Sequence, residues 1–278
     1  MATARGDWTK TDSRWKTNLK IPSFTHHLLI METLYKIIQE YLEDFNQKKA
    51  CDFVVKPSIP IVWFGNLEKY SSSKGRIVTV ALNPSLQEFP IDAAPRFNVN
   101  AAMPQELVST LNRYFLDNPY KKWFGAFEFV LNCLNATYYE ANGQLPRTAI
   151  HIDIYSAIAT NPTWGKLTSD QRQKISRTDL FSKLLSVLDP NMIVFSGNIR
   201  VFKEVFTEGQ PIVERKFKNN GYIREYVHNG RMLVTGLNYK GQPFGGMPHT
   251  DMSTVLKEIN WHFEQFIEKK KQDTINQK

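Results

Sequence analysis

The chain has little cysteine, no long apolar run and no low-complexity block beyond one short serine loop. Its 278 residues include only Cys51 and Cys133, which lie far apart. This excludes a disulfide framework, a four-cysteine zinc site and a four-cysteine iron–sulfur cluster. No segment approaches the ~18 consecutive apolar residues of a membrane span, and the first residues lack the apolar core of a secretory signal. We therefore expect a cytoplasmic protein that contacts no membrane and needs no metal or cofactor.

Positive charge is in excess. Lys and Arg number 35 against 27 Asp and Glu, which gives a formal net charge of +8. This balance favours a polyanionic partner, because neutralising phosphates releases condensed counterions. A nucleic acid is the most strongly indicated partner, and an anionic membrane surface is the second. Solubilising charge scattered over the surface explains the same excess of positive charge equally well, so the partner has to be inferred from the sequence motifs.

Hydrophobic periodicity predicts alternating helices and strands after a Trp-bearing arm over residues 1–30. Helices are expected over 31–47, 104–116, 120–137, 169–188, 199–206 and around 255–267, and strands over 76–82, 148–154, 192–195 and 232–237. The segment 222–227 and the last strand flank Asn229-Gly230, a pair that favours a tight hairpin. Strands joined by helical crossovers predict an α/β fold, a three-layer α/β/α domain over 31–270 with a mostly parallel four-stranded sheet and a basic tail over 271–278.

Polar or glycine-rich segments follow each predicted strand. They are Asn83-Pro84-Ser85, Asp153, Gly197-Asn198 and the loop over 238–250. Because ligands of such sheets bind beyond the carboxyl ends of the strands, these four segments are expected to surround one pocket.

The first of these loops suits the positioning of a water molecule. The amide oxygen of Asn83 can hold a water while Pro84 fixes the turn. An amide is not a strong base, but orientation matters more than proton removal in a dissociative reaction. The alternative is that Asn-Pro simply initiates a turn, and for the motif alone this is the more common outcome.

The segment Ala81-Leu82-Asn83-Pro84-Ser85 resembles the first motif of the uracil-DNA glycosylase superfamily, Gly-aliphatic-Asn-Pro-Gly, with Ala and Ser in place of the two glycines. Further similarities follow in order over about 75–255: an aromatic after the loop, a Pro-aromatic segment that opens a helix, a second strand, and late loops rich in Gly, Pro and His. The resemblance implies a target nucleotide flipped from DNA into a pocket. Its implied lining includes Leu82, Pro84, Ser85, Gly197, Asn198 and Lys240.

The resemblance also implies an aromatic that stacks on the base soon after the first loop. Phe97 is the better match by distance, and Phe89 is its rival. A core position is an equally good interpretation of either phenylalanine.

The second strand departs from the uracil-reading pattern. Family members that read uracil commonly have an Asn near its end, where this chain has Asp153. A carboxylate accepts from the N4 amino group of cytosine and repels the O4 of uracil. This favours a modified cytosine, and one branch of the superfamily excises glucosylated hydroxymethylcytosine from phage DNA in anti-phage defence. Asp153 is otherwise a helix cap or ion-pair partner, and a register shift of one residue would nominate His151 instead.

The late loop corresponds to the second catalytic motif of the superfamily. There, a side chain supports the negative charge that develops on the leaving base. Asn238, directly after the strand, and His249, before the last helix, compete for this role, since an amide and a neutral imidazole can each donate to a base oxygen. His249 is otherwise only a residue near a helix N-terminus.

These observations predict a monofunctional DNA glycosylase that leaves an abasic site, without an obligate protein partner. The alternatives are a uracil or mismatch repair glycosylase and a non-catalytic DNA-binding sensor of modified bases. A small-molecule α/β hydrolase is less well supported, because the chain lacks a Gly-x-Ser-x-Gly elbow.

Overall fold

The computed structural model describes residues 23–90, 94–139 and 145–276. The helices are α1 (Ser23–Lys48), α2 (Leu67–Ser72), α3 (Pro104–Asn112), α4 (Tyr114–Asp117), α5 (Lys121–Cys133), α6 (Ser169–Ile175), α7 (Thr178–Leu188), α8 (Ile199–Val205) and α9 (His249–Asn276). The strands are β1 (Ile77–Ala81), β2 (Ala136–Thr137), β3 (Arg147–Thr148), β4 (Ile150–Asp153), β5 (Met192–Ser196), β6 (Val213–Lys216), β7 (Tyr222–His228) and β8 (Arg231–Gly236).

The central sheet has the strand order β4-β1-β5-β8-β7-β6. The first four strands are parallel, and β7 and β6 add two antiparallel strands at one edge. The predicted α/β fold with a mostly parallel sheet is therefore confirmed, but six strands replace the expected four. The predicted hairpin turn at Asn229-Gly230 has positive φ at both residues, 48° and 68°, as a type I′ turn requires. The segments before and after this turn are the strands β7 and β8.

Helices cover both faces of this sheet. Every residue of β1 and β5 is buried, as expected of strands between two helical layers. On one side α1 packs against α7 and α3, while α5 packs against α9. The apolar side chains of these elements form one large core, which confirms the three-layer arrangement.

Several predicted boundaries need correction. The helix predicted over 120–137 ends at Cys133 and is followed by β2, and the helix predicted over 104–116 is divided into α3 and α4. The first helix begins at Ser23, so the arm predicted over 1–30 is helical in its last residues, and its remainder lies outside the described residues. The tail predicted from 271 continues α9 to Asn276. The helix predicted over 169–188 is two helices, because Ser176 is extended and the backbone N–H of Arg177 donates to Tyr155 O (2.6 Å) instead of to a helical carbonyl.

The chain order creates a crevice between β1 and β5. The chain leaves β1 towards β4 on one side, and it leaves β5 towards β8 on the other. At such a switch point the loops after neighbouring strands diverge and open a cleft at the carboxyl ends of the strands. The loops after β1, β4, β5 and β8 all reach this end of the sheet, as the sequence predicted.

Candidate functional site

A cavity of about 510 Å³ opens at this crevice. Its volume lies in the range of ligand-binding clefts. Residues from every parallel strand end line it: Ala81, Leu82, Asn83, Pro84 and Ser85 after β1, His151 and Asp153 on β4, Ser196, Gly197 and Asn198 after β5, and Asn238 and Gly241 after β8. The remaining lining residues are Phe64, Gln87, Glu88, Tyr120, Trp123, Phe124, Thr163, Trp164 and Gly165. The structure thus brings together most of the side chains that the sequence nominated.

The loop after β1 is held by hydrogen bonds to the segment after β4. Pro84 O accepts from the N–H of Thr160 (3.2 Å), and Leu82 O accepts from the N–H of Tyr155 (2.9 Å). The amide nitrogen of Asn83 donates to Pro84 O (2.7 Å) and to Thr160 Oγ1 (3.0 Å). Because both amide protons are engaged, the side-chain oxygen of Asn83 is left to accept a hydrogen bond from a water or ligand.

The two residues that replace glycine in this loop are not strained. Ser85 has φ −129°, an extended conformation that any residue adopts, and its side chain accepts from the N–H of Gln87 (3.3 Å). Ala81 is the last residue of β1 and is buried. Neither position requires the left-handed conformation that favours glycine.

Asp153 and His151 both line the cavity from β4. Since they are two residues apart on a strand, their side chains share one face. The prediction that a shift of the strand register would place one or the other in the site is therefore wrong, because the two side chains are neighbours. His151 Nε2 lies 3.6 Å from Asp153 Oδ1.

A buried polar chain leads to His151. Its Nδ1 lies 2.7 Å from Thr79 Oγ1, which is in turn hydrogen-bonded to the hydroxyl of Tyr138. Aromatic rings surround the imidazole, with centroids 5.1 to 5.5 Å from its own: Phe64, Trp123, Phe124 and Phe127. This packing and the bond to Thr79 fix the orientation of the ring, so that Nε2 is directed towards Asp153.

Neither phenylalanine proposed to stack on a base lines the cavity. Phe97 is 4% exposed and stacks on Tyr114 with ring centroids 5.0 Å apart and an angle of 23°, and Phe89 packs against Phe97 at 5.5 Å. The first assignment therefore needs correction, because both rings fill an aromatic cluster beneath the loop.

Other aromatic side chains provide the surface instead. Tyr120 and Trp123, at the start of α5, and Trp164, in the loop after β4, are half-buried and line the cavity. Trp164 stacks on Tyr155 with centroids 4.6 Å apart and an angle of 6°. This stack holds the indole flat at the cavity rim.

The late loop separates the two residues proposed to support a leaving base. Asn238 lines the cavity and is half-buried. His249 is exposed, does not line the cavity, and stacks on Phe129 at 4.2 Å as the first residue of α9. Of the two candidates, only Asn238 is placed to contact a bound ligand.

Lys240 lies at the tip of a tight turn and not in the cavity wall. The backbones of Tyr239 and Gln242 exchange two hydrogen bonds of 3.0 Å, and Lys240 and Gly241 between them have φ of 51° and 80°. The predicted contribution of Lys240 to the lining is thus taken by Gly241, and the ammonium group is exposed beside the cavity mouth.

The segment after β5 forms a compact wall. A Cβ on Gly197 would lie 2.5 Å from the ring of Phe195, so only glycine fits here without displacing that ring. Asn198 caps α8, its side chain accepting from the N–H of Arg200 (2.8 Å). Ser196 Oγ accepts from the N–H of Phe244 (3.0 Å) and so ties the late loop to β5.

Glu88 is one of the lining residues that the sequence did not predict, and it is the one with a perturbed acid group. It ends a single 3₁₀ turn, Leu86–Glu88, that Ser85 caps. Glu88 is 5% exposed, and the hydroxyl of Tyr114 donates to its Oε2 at 2.5 Å. Burial raises the pKa of this carboxyl to about 7, opposed by the hydrogen bond from Tyr114 and the charge of Arg96. A single acidic residue in a short turn is part of no hydrophobic pattern, so the sequence alone does not indicate that Glu88 lines the cavity.

Several exposed cations are close in the chain to residues that line the cavity. Five of these are Lys121, Lys122, Lys166, Arg200 and Lys240. None of the five forms an ion pair within the described ranges 23–90, 94–139 and 145–276. They come from four different segments, each of which also contributes a lining residue.

Within the described residues, no group of three or more His, Cys, Asp or Glu side chains could hold a metal ion. No helix in the same part of the chain is both long and apolar enough to cross a membrane.

A scan of protein-family models finds none that matches the chain, and a search of curated proteins finds no match either. The function is therefore inferred from the cavity itself.

Proposed function

We propose that this protein is a DNA glycosylase that hydrolyses the N-glycosidic bond of a flipped, modified cytosine and leaves an abasic site. The observation that carries the proposal is the convergence of Asn83, Asp153 and Asn238 on one cavity at the switch point of the sheet. Together they offer a group to hold water, a group to read a base and a group to support it as it leaves.

Asn83 is suited to position the attacking water. Its amide protons are engaged by Pro84 and Thr160, so its oxygen accepts a hydrogen bond from a water in a fixed direction. Placing the water against C1′ is the main contribution needed when bond breaking runs ahead of bond making. Asn238, on the loop after β8, can donate to a carbonyl oxygen of the base as charge develops there.

The base-reading role belongs to Asp153. Its carboxylate accepts from the exocyclic amino group of cytosine, which uracil lacks. The size of the cavity favours a base with a large substituent. An apolar cavity of about 150 Å³ holds a benzene molecule, whereas this one measures about 510 Å³. Tyr120, Trp123 and Trp164 supply the faces on which a base or an attached sugar can stack.

The DNA-binding part of the proposal rests on the five exposed cations. A duplex whose nucleotide enters this cavity brings its phosphates to the rim, and the five cations next to or near lining residues in the chain are available to neutralise them. The net charge of +8 agrees with such a partner.

The test is incubation with matched duplexes that carry uracil, cytosine, hydroxymethylcytosine or glucosylated hydroxymethylcytosine, followed by alkali to cleave abasic sites. We expect strand breakage at a modified cytosine. Asn83→Ala should lower the single-turnover rate by about 100-fold, the cost of a misplaced reactant, and leave DNA binding nearly intact. Asn46→Ala, an exposed change on α1, is the control.

The outcomes separate the alternatives. Cleavage of uracil duplexes alone would identify a uracil glycosylase and contradict the role of Asp153. Tight, salt-sensitive binding without base release from any duplex would contradict the enzyme and favour a sensor of modified DNA.

A further inference from the structure

Glu88 has surroundings that define where its proton lies. The backbone N–H of Tyr120 donates to the hydroxyl of Tyr114 at 3.0 Å, and that hydroxyl lies 2.5 Å from Glu88 Oε2. The hydroxyl oxygen accepts from Tyr120 and donates its own proton to Oε2. With Oε2 accepting, the acid proton of the un-ionised carboxyl is assigned to the other oxygen, Oε1.

Oε1 is the oxygen that remains for a ligand. Among the described residues, no side chain or backbone group hydrogen-bonds to it, and Glu88 lines the cavity. Glu88 is thus a buried polar group of the cavity wall, with one oxygen engaged by the protein and the other left for a ligand. Such a group is costly unless a ligand or water pairs with it.

The un-ionised form is accessible near neutral pH. The groups that act on Glu88 are Tyr114 of α4, Arg96 from the segment before α3, and Asp153 of β4. Burial and the negative charge of Asp153 raise the pKa of Glu88, and together they outweigh Tyr114 and Arg96, so that it reaches about 7. Tyr120 and His151 are the other titratable side chains in the cavity wall.

We propose that Glu88 is the acid that protonates the base as it leaves, which directs the enzyme to bases of the cytosine type. This inference rests on the proposed glycosylase function. Asp153 and Glu88 line the same cavity, so that Asp153 reads the N4 amino group and the acid proton on Oε1 is assigned to the adjacent ring atom, N3.

The step balances without any further reactant. The Oε1 proton passes to N3, the C1′–N1 bond breaks, and its electron pair remains on N1, so that the base leaves neutral. The oxygen of the water held by Asn83 bonds to C1′, and the proton lost by this water returns to Glu88. Uracil already carries a proton on N3 and cannot use this acid there. A general acid of this kind contributes about 100- to 10,000-fold to a rate.

The test compares single-turnover excision by the wild type and by Glu88→Gln between pH 5.5 and 8.5. The amide keeps an acceptor for Tyr114 and a donor towards the base, but it cannot give up a proton. We expect the wild-type rate on modified cytosine to fall about tenfold per pH unit above pH ~7. Glu88→Gln should be at least about 100-fold slower at pH 6.5 and should lose this alkaline limb.

A second variant protects the test against a folding defect in the first. Tyr114→Phe removes the hydrogen bond that stabilises the ionised carboxylate, so its alkaline limb should move to higher pH. Glu208→Gln, an exposed change away from the cavity, is the control and should match the wild type.

The possible failures are distinguishable. No excision of any base by the wild type would overturn the proposed function and with it the role of Glu88. Excision by the wild type, with an alkaline limb that neither variant alters, would overturn only the role of Glu88.

Discussion

Two walls of the cavity carry a carboxyl group in different settings. The strand wall, formed by Asn83, His151 and Asp153, lies at the ends of β1 and β4. The turn wall, formed by Gln87, Glu88 and Tyr120, lies on a 3₁₀ turn and at the start of α5. Asp153 has an imidazole 3.6 Å away, whereas Glu88 has a neutral phenol at 2.5 Å. The difference is between a carboxylate that accepts hydrogen bonds and a carboxyl that holds a proton.

This contrast assigns separate tasks to the two walls. Parallel strands set the spacing of their ends through the hydrogen-bond register, Ala81 being paired with Asp153. The strand wall is thus fixed by the sheet and is suited to recognition. In the turn wall, Glu88 is buried next to the buried rings of Phe89 and Tyr114, which exclude water, and this is the setting that shifts a pKa. We expect variants of the strand wall to change which base is chosen and variants of the turn wall to change how activity and stability depend on pH.

The largest expected effect is a reversal of base preference by Asp153→Asn. The side-chain amide can present its NH₂ group to the base, and this group donates to the O4 of uracil but cannot accept from the N4 amino group of cytosine. Since each such pair is worth ~1–3 kcal/mol, the ratio of uracil to cytosine excision should rise by about 1000-fold. Single-turnover rates on the two matched duplexes measure the ratio, and Asp273→Asn on α9 is the exposed control.

The pH profile completes this prediction. The alkaline limb on modified cytosine should persist in Asp153→Asn, because Glu88 is retained. Equal losses on both bases would show that Asp153 supports the fold of the cavity rather than reading the base.

A smaller effect is expected on the free energy of unfolding of Glu88→Gln. In the folded protein the pKa of Glu88 is about 7, against 4.5 for the ordinary group. As the pH rises from 4.5 to 7, the unfolded chain releases this proton while the folded chain keeps it, so stability falls. Above pH 7 the loss is complete, at about 3 kcal/mol.

Glutamine does not titrate, so Glu88→Gln should escape this loss. Relative to the wild type, its stability should rise between pH 4.5 and 7 and then stay constant, as measured by urea unfolding at a series of pH values. Glu208→Gln should show a constant difference from the wild type. Parallel pH curves for wild type and Glu88→Gln would contradict the raised pKa.

The same contrast explains what the sequence could predict. Strand ends follow from β-branched runs that stop at polar residues, and the parallel order of β1, β4, β5 and β8 makes their ends meet. For this reason Asn83, Asp153, Gly197, Asn198 and Asn238 were nominated and do line the cavity. The strand β6 was missed, because Val213-Glu-Arg-Lys216 is a charged edge strand without hydrophobic alternation.

Residues outside the strand ends depend on long-range packing. Phe97 and Tyr120 follow the first loop at different distances, and nothing local indicates that Phe97 stacks on Tyr114 while Tyr120 faces the cavity. Likewise, the choice between Asn238 and His249 depends on the turn at Lys240-Gly241, which directs the chain away from the opening. Glu88 is recognised as a candidate acid only from its burial and from its hydrogen bond with Tyr114, and both depend on the folded structure.

The smallest expected effect is on DNA binding by Lys240→Ala, which belongs to neither wall. The exposed ammonium of Lys240 lies on the turn next to Gly241 at the cavity mouth. If it neutralises one phosphate, its removal should weaken binding of all duplexes alike and reduce the slope of log K against log salt by about 1. Excision at saturating DNA should keep its rate, base preference and pH profile, because both walls are intact. Lys269→Ala is the matched control, about 30 Å along α9 from His249. A loss of base preference in Lys240→Ala, or an equal fall of the salt slope in Lys269→Ala, would show that charge at the mouth is not separate from recognition in the cavity.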